Sequence, residues 1–297
     1  MKKQTILPAS ALVCAAALVL LFFAFGRKSV GKASGAETAF LTKSPGASAV
    51  RKTAEEVQRE KDEALVRSVI SKMSARARET IVIDDYGKFI ADLKAVLEED
   101  AQNPKDDLSL FTLVDKTHPL PDGYAPSRLI PLVKNDAFNV IRNDLSLRPE
   151  AYEALVAMGR AAQSDGVTLL VSSTYRSYEY QKKVFERWVA IDGLAEAERE
   201  SSRAGTSQHQ TGLVIDFGSI DNTFANTRAG VWMKEHAEDY GWSLSFPDGY
   251  EDVTGYRWES WHFRYIGKKA CVFQKKYFGD IQQFMLEFID AWKKSKR

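Results

Sequence analysis

The rhythm of hydrophobic and polar positions changes three times along this chain. After Met1-Lys2-Lys3, an almost unbroken apolar run extends from Ile6 to Phe25. A short basic start before such a run marks an export segment, and about twenty residues are enough to cross a bilayer's hydrocarbon core. Residues 1–26 therefore read as a transmembrane signal anchor or a signal peptide. The length favours the anchor, while Ala24 and Gly26 leave a cleavage site open. Residues 27–53 are rich in Gly, Ala, Ser, Thr and Lys, which suits a flexible linker. Over 54–106 apolar residues return at helical spacing. "AEEVQREKDEALVRSVISKMSARARE" and "YGKFIADLKAVLEED" predict two amphipathic helices. No heptad seam persists there, so a helical spacer is expected in preference to a coiled coil. From 107 to 297 short β-rich runs appear, among them "GVTLLVSSTYRS", "GLVIDFGS" and "GWSLSF". They are separated by helical stretches at 149–164 and 178–191, and an amphipathic helix closes the chain. Without a regular βαβ alternation, this pattern predicts an α+β domain whose small sheet is mainly antiparallel, with flanking helices.

Composition narrows the picture. The 297 residues leave room for one substantial domain plus accessory segments. Lys and Arg number 41 against 40 Asp and Glu, which argues against a dedicated nucleic-acid binder. Two cysteines are present, Cys14 in the apolar run and Cys271 in the domain, so no internal disulfide is expected in the soluble part. Nothing local to Cys271 supplies a base for a nucleophile, and it reads as a small core residue.

Of four histidines, two sit in unusual company: "SQHQTGLVID" (207–216) and "ESWHFRY" (259–265). Hydrolysis assisted by zinc needs three protein ligands with an open fourth position, and a nearby carboxylate to take a proton from water. His209, Asp216 and His262 have the side chains for the first task and Glu259 for the second. A buried histidine hydrogen-bonded to an aspartate is the commoner cause of such a spacing, and it stays open on these residues alone. His118 and His236 have no such neighbours. Trp261, Phe263 and Tyr265 alternate along the second segment, a pattern that favours core packing over a sugar-stacking platform.

The two segments together resemble the signature of the D-alanyl-D-alanine carboxypeptidase family of bacterial cell walls, which includes VanY-type and LD-carboxypeptidase enzymes. That signature is approximately S-x-H-x-x-G-x-x-x-D followed by E-x-W-H, and both parts are complete here. "SSTYRSYEYQ" upstream resembles the family's Tyr-Arg-Ser block, "LVDKTHPLPDGYAP" its opening stretch and "TGYRWESWHFRYIG" its closing one. The resemblance runs from about Leu113 to Gly267. It implies a Zn2+ cofactor on His209, Asp216 and His262, with Glu259 as general base. It also places Arg176 beside the substrate's carbonyl or terminal carboxylate, and Gln181 and Ser207 along the substrate end. The implied partner is the peptidoglycan stem peptide, cleaved outside the cytoplasmic membrane to release D-alanine. The membrane itself would be the partner of the N-terminal segment, with the helical spacer letting a tethered domain reach the wall. A dipeptidase, a peptidoglycan endopeptidase and a non-catalytic zinc module share these motifs. Two departures stand out: Ser260 where the family often has proline, and Ser245 where it often has a basic residue. The second is expected to alter which stem peptide fits the cleft.

Overall fold

The structure, a computed structural model, describes residues 52–105 and 107–296. The predicted anchor and most of the linker lie outside the described residues. Among the described residues no helix is long and apolar enough to cross a membrane.

Three helices open the described chain: α1 (Ala54–Lys72), α2 (Ala75–Thr80) and α3 (Tyr86–Asp100). A capping box starts α1: the Thr53 hydroxyl accepts from the Glu56 amide at 3.2 Å, and the Glu56 carboxylate accepts from the Thr53 amide at 2.8 Å. The next elements are β1 (Ile130–Pro131), β2 (Phe138–Val140), β3 (Ser146–Leu147), α4 (Pro149–Ser164), β4 (Leu169–Ser173) and α5 (Tyr178–Glu200). They are followed by β5 (Val214–Phe217), α6 (Arg228–His236), β6 (Trp242–Leu244), α7 (Glu251–Thr254), β7 (His262–Tyr265), α8 (Lys268–Tyr277) and α9 (Gln282–Ser295). The helix read at 178–191 breaks at Gly193, whose φ of 81° lies in the left-handed region, and resumes to Glu200.

Five strands form one sheet in the order β2-β4-β5-β7-β6. Only the β2–β4 pair is parallel, so the fold is α+β with a mainly antiparallel sheet, as the pattern predicts. One face of β5 and β7 carries Ile215, Phe217 and Phe263 into the core, where Phe217 meets the Phe263 ring at 6.0 Å. Phe263 is buried in the core and Tyr265 packs on Trp242 at 5.6 Å, while Trp261, also buried, lines the cleft beside Glu259 and His262. The opposite face carries Asp216, His262 and Arg264. Arg264 is fully buried and donates to the Leu110 and Thr112 carbonyls at 2.7 and 2.8 Å, tying the entry segment of the domain to the sheet.

The region 54–106 departs from the expected spacer. Its helices belong to the same compact unit as everything to residue 297. Phe89 of α3 packs against Phe273, Tyr277, Phe278 and Phe288 at ring separations of 4.8 to 6.2 Å. The physical reason lies in α9. Phe284, Met285, Leu286, Phe288, Ile289 and Trp292 are all buried, a wider apolar surface than the sheet side alone can cover. The apolar stripes of α1 and α3 close its other side.

Candidate metal centre

Sheet register brings the two signature segments together. Asp216 on β5 and His262 on β7 are directly opposite each other in the antiparallel ladder, so their side chains rise from the same face as neighbours. A shift of register between Val171 and Ser173 bends β4 where it meets Asp216 and turns Ser173 toward the same place. His209 arrives from a 3-10 turn over Gln208–Thr211, which Ser207 caps by accepting from the His209 amide at 3.3 Å. The turn ends at Gly212 with φ 72°, where a Cβ would meet Arg148 and Pro126 side-chain carbons at 3.1 Å. The signature's glycine is therefore a backbone requirement here.

His209, Asp216 and His262 are all buried, and their ligating atoms lie within 4.8 Å of one another. His209 Nδ1 is 2.7 Å from the Thr174 carbonyl, which can only accept. The proton is therefore on Nδ1, and Nε2 presents its lone pair to Asp216 Oδ2 at 3.1 Å. His262 is held the other way round. Its Nε2 is 3.3 Å from Gln208 Oε1, and its Nδ1 faces Asp216 Oδ1 at 3.1 Å and Glu259 Oε2 at 3.3 Å. Asp216 Oδ1 is buried and has no hydrogen-bond partner. Two imidazole lone pairs and an unpaired carboxylate oxygen, each backed by a second hydrogen bond on its own ring or group, fit a zinc ion: its tetrahedral bonds of about 2 Å set ligands about 3–4 Å apart.

The electrostatics separate the two rings. Burial, with the Arg176 charge nearby, pushes His209 down to about 4 and keeps it neutral, as a ligand must be. Burial opposes the charge on Asp216, but His209 and His262 together hold its carboxyl well below the usual range. Burial likewise opposes a charged His262, yet Asp216 and Glu259 outweigh it and raise the ring to about 9. The two histidines thus shift in opposite directions because only His262 faces two carboxylates.

Arg176 stands beside the set. Its Nη2 reaches Asp216 Oδ2 at 2.8 Å, and Nε and Nη2 donate to Ser173 Oγ at 3.0 and 2.9 Å. Glu259 is buried, and burial raises its carboxyl above the ordinary value. Gln181 departs from its expected place on the substrate. It is fully buried and does not line the cleft; its Oε1 accepts from Arg176 at 3.4 Å while its Nε2 donates to the Ser202 carbonyl at 2.7 Å. Lying inside the first turn of α5, it holds the arginine rather than a ligand. Ser207 does line the cleft, with its hydroxyl engaged in the cap. Ser245 is also displaced from expectation: it is buried behind His262, outside the cleft lining. The sequence reading missed Tyr256. Its buried hydroxyl has no partner, and the residue lines the cleft with Glu259; the only signal was its place in the closing block. His118, bonded to Asp115, and the exposed His236 stand apart from the site, as expected.

Comparisons with known proteins bear on the domain that carries these residues. The VanY family profile, D-alanyl-D-alanine carboxypeptidase, matches residues 144–268. The putative carboxypeptidase YodJ of Bacillus subtilis (strain 168) is 37% identical over 179 residues, covering 58% of this chain and 64% of its own. Among solved structures, the LdcB LD-carboxypeptidase matches with a TM-score of 0.53 and 34% identity, over 60% of this chain and 85% of that one. The VanXYg D,D-dipeptidase, in complex with a D-Ala-D-Ala phosphinate analogue, matches with a TM-score of 0.52 and 26% identity, over 61% of this chain and 72% of that one. The fold and the family match define a metallocarboxypeptidase type of domain. The chain belongs to the VanY family of D-alanyl-D-alanine carboxypeptidases, a family of metallocarboxypeptidases. It spans less than two thirds of the length of the Bacillus relative, 64%.

Proposed function

We propose that this chain is a zinc-dependent carboxypeptidase that removes C-terminal D-alanine from peptidoglycan stem peptides outside the cytoplasmic membrane, where that substrate lies. The observation that carries the reading is the convergence of His209 Nε2, His262 Nδ1 and Asp216, with Glu259 Oε2 3.3 Å from His262 Nδ1. Those three residues would hold the metal, and the chemistry it would supply there is Lewis acidity. Glu259 accepts the water's proton as the C–O bond forms and returns it to the departing D-alanine nitrogen as the C–N bond breaks. Arg176 offers a guanidinium fork, 16% exposed, that suits either the developing oxyanion or the terminal carboxylate of the substrate. Membrane attachment through residues 1–26 belongs to the same proposal and is supported by their sequence alone.

The test uses the full chain and its Glu259→Gln variant, both assayed for bound zinc and then incubated with synthetic muramyl tetra- and pentapeptides. Mass spectrometry follows released D-alanine. The wild type is expected to release it, and the variant to keep zinc while losing about 10²- to 10⁴-fold in rate. Zinc in both proteins with cleavage of no stem peptide would instead identify a non-catalytic zinc module.

A further inference from the structure

One buried polar group on the wall of the cleft has no task inside the protein. Tyr256 is 3% exposed, and its hydroxyl has no hydrogen-bond partner. The residue lines the same cleft as Arg176, Glu259 and the two site histidines. The hydroxyls of Ser202 and Thr206 are near enough to bear on it, yet neither meets it with hydrogen-bond geometry. An unpaired hydroxyl shut away from water forfeits the hydrogen bond that it keeps in the unfolded chain. Folding therefore gains nothing from this oxygen, and phenylalanine would serve the fold as well or better.

The rest of the residue is held firmly. Thr254 Oγ1 accepts from the Tyr256 amide at 3.2 Å. The phenol ring packs on Phe246 at 4.9 Å, and Phe246 packs on the His262 ring at 4.6 Å. The Phe246 carbonyl also accepts from the Glu259 amide at 3.0 Å. The phenol and the proposed general base thus lean on one residue, which couples their placement. Burial pushes the Tyr256 hydroxyl up to about 12, so it keeps its proton and remains a donor at neutral pH. A peptide lying in the cleft carries a carbonyl oxygen at every residue and a carboxylate at its end, and all of these are acceptors.

Resting on the carboxypeptidase reading above, we infer that Tyr256 is a substrate-binding residue whose hydroxyl, unpaired within the protein, donates to an oxygen of the stem peptide. It adds a neutral donor to the charged fork of Arg176.

The test is Tyr256→Phe in the full chain, which removes one oxygen and leaves the ring. Wild type and variant would be assayed for bound zinc, melted without substrate, and given synthetic muramyl tetra- and pentapeptides. Zinc content is expected to match, and the variant's melting temperature to stay level or rise. Its kcat/KM should fall about 3- to 10-fold, the size of one neutral hydrogen bond. A merely structural hydroxyl cannot give those opposite signs, because its loss would lower stability and activity together. A rise in KM alone supports the inference with the acceptor on an oxygen bound equally in ground and transition states. A fall in kcat supports it with the acceptor on the reacting carbonyl. A variant that melts lower or loses zinc overturns the inference, since the hydroxyl would then have its partner inside the protein. Unchanged kinetics on both peptides overturns it as well. Either of those results leaves the carboxypeptidase reading standing. A wild type that releases D-alanine from neither peptide overturns that reading and this inference with it.

Discussion

At the scale of the residue, Arg176 does the work of several contacts with one planar group. Two nitrogens meet Ser173, one meets Asp216 and one meets Gln181. A lysine keeps the charge but not the fork. Arg176→Lys is expected to keep zinc and lose about 10- to 100-fold in kcat/KM, the size of a charged hydrogen bond of roughly 1.5–3 kcal/mol. If the fork binds the terminal carboxylate equally in ground and transition states, steady-state kinetics on a stem peptide will show the loss in KM. Loss confined to kcat would assign the arginine to the oxyanion instead. That His209, Asp216 and His262 belong together was legible through the family resemblance of their two motifs, since their spacing alone also suits a buried histidine bonded to an aspartate. Gln181 was misread because its motif position says that it lies near the site but not which way its amide points. That direction is set by the Ser202 carbonyl, twenty-one residues away. Tyr256 was passed over for the opposite reason: only the fold shows that its hydroxyl is buried without a partner.

At the scale of the element, the site depends on two local devices, the β5–β7 register and the turn before β5. The alternation in "GLVIDF" and "WHFRY" made both strands readable, since one face had to be apolar. Their pairing, which sets Asp216 opposite His262, is a long-range fact that periodicity does not contain. The turn is more exposed to single substitutions. At Gly212 a methyl group would press on Arg148, Pro126 and Leu129 at 3.1 to 3.2 Å while the backbone stays at φ 72°. The Gly212 carbonyl also accepts from the Arg148 amide at 2.9 Å, so the turn cannot shift freely. Gly212→Ala should therefore cost about 1–3 kcal/mol. A urea titration would read this as a lower midpoint with an unchanged slope. An unchanged midpoint would mean that the turn relaxes without strain.

At the scale of the whole molecule, the helices of 54–106 decide whether the catalytic domain is self-sufficient. Their exposed charged faces gave the sequence the texture of a solvated spacer. Their narrow apolar stripes, Val66 and Val69 on α1 and Phe89, Ile90, Leu93 and Val96 on α3, turn out to be core. Only the excess apolar surface of α9 hinted at this, and that excess is visible once the sheet side of α9 has been seen. Polar contacts pin the same layer: Asp62 of α1 pairs with Lys94 at 3.2 Å and with Lys296 near the chain's end at 3.1 Å, and Asp92 accepts from Tyr277 at 2.8 Å. A detachable spacer predicts that a chain beginning at residue 107 folds and works as well as one beginning at 52. The packing predicts the reverse. Removing Phe89 alone from such a cluster should cost about 3–5 kcal/mol, and a whole domain commonly has only about 5–15 kcal/mol of stability. Loss of the entire layer would also strip the outer cover from α8 and α9. The 107–297 chain is therefore expected to be unfolded or aggregated by circular dichroism and size-exclusion chromatography, while the 52–297 chain melts cooperatively. A 107–297 chain with a cooperative melt and normal zinc uptake would restore the spacer.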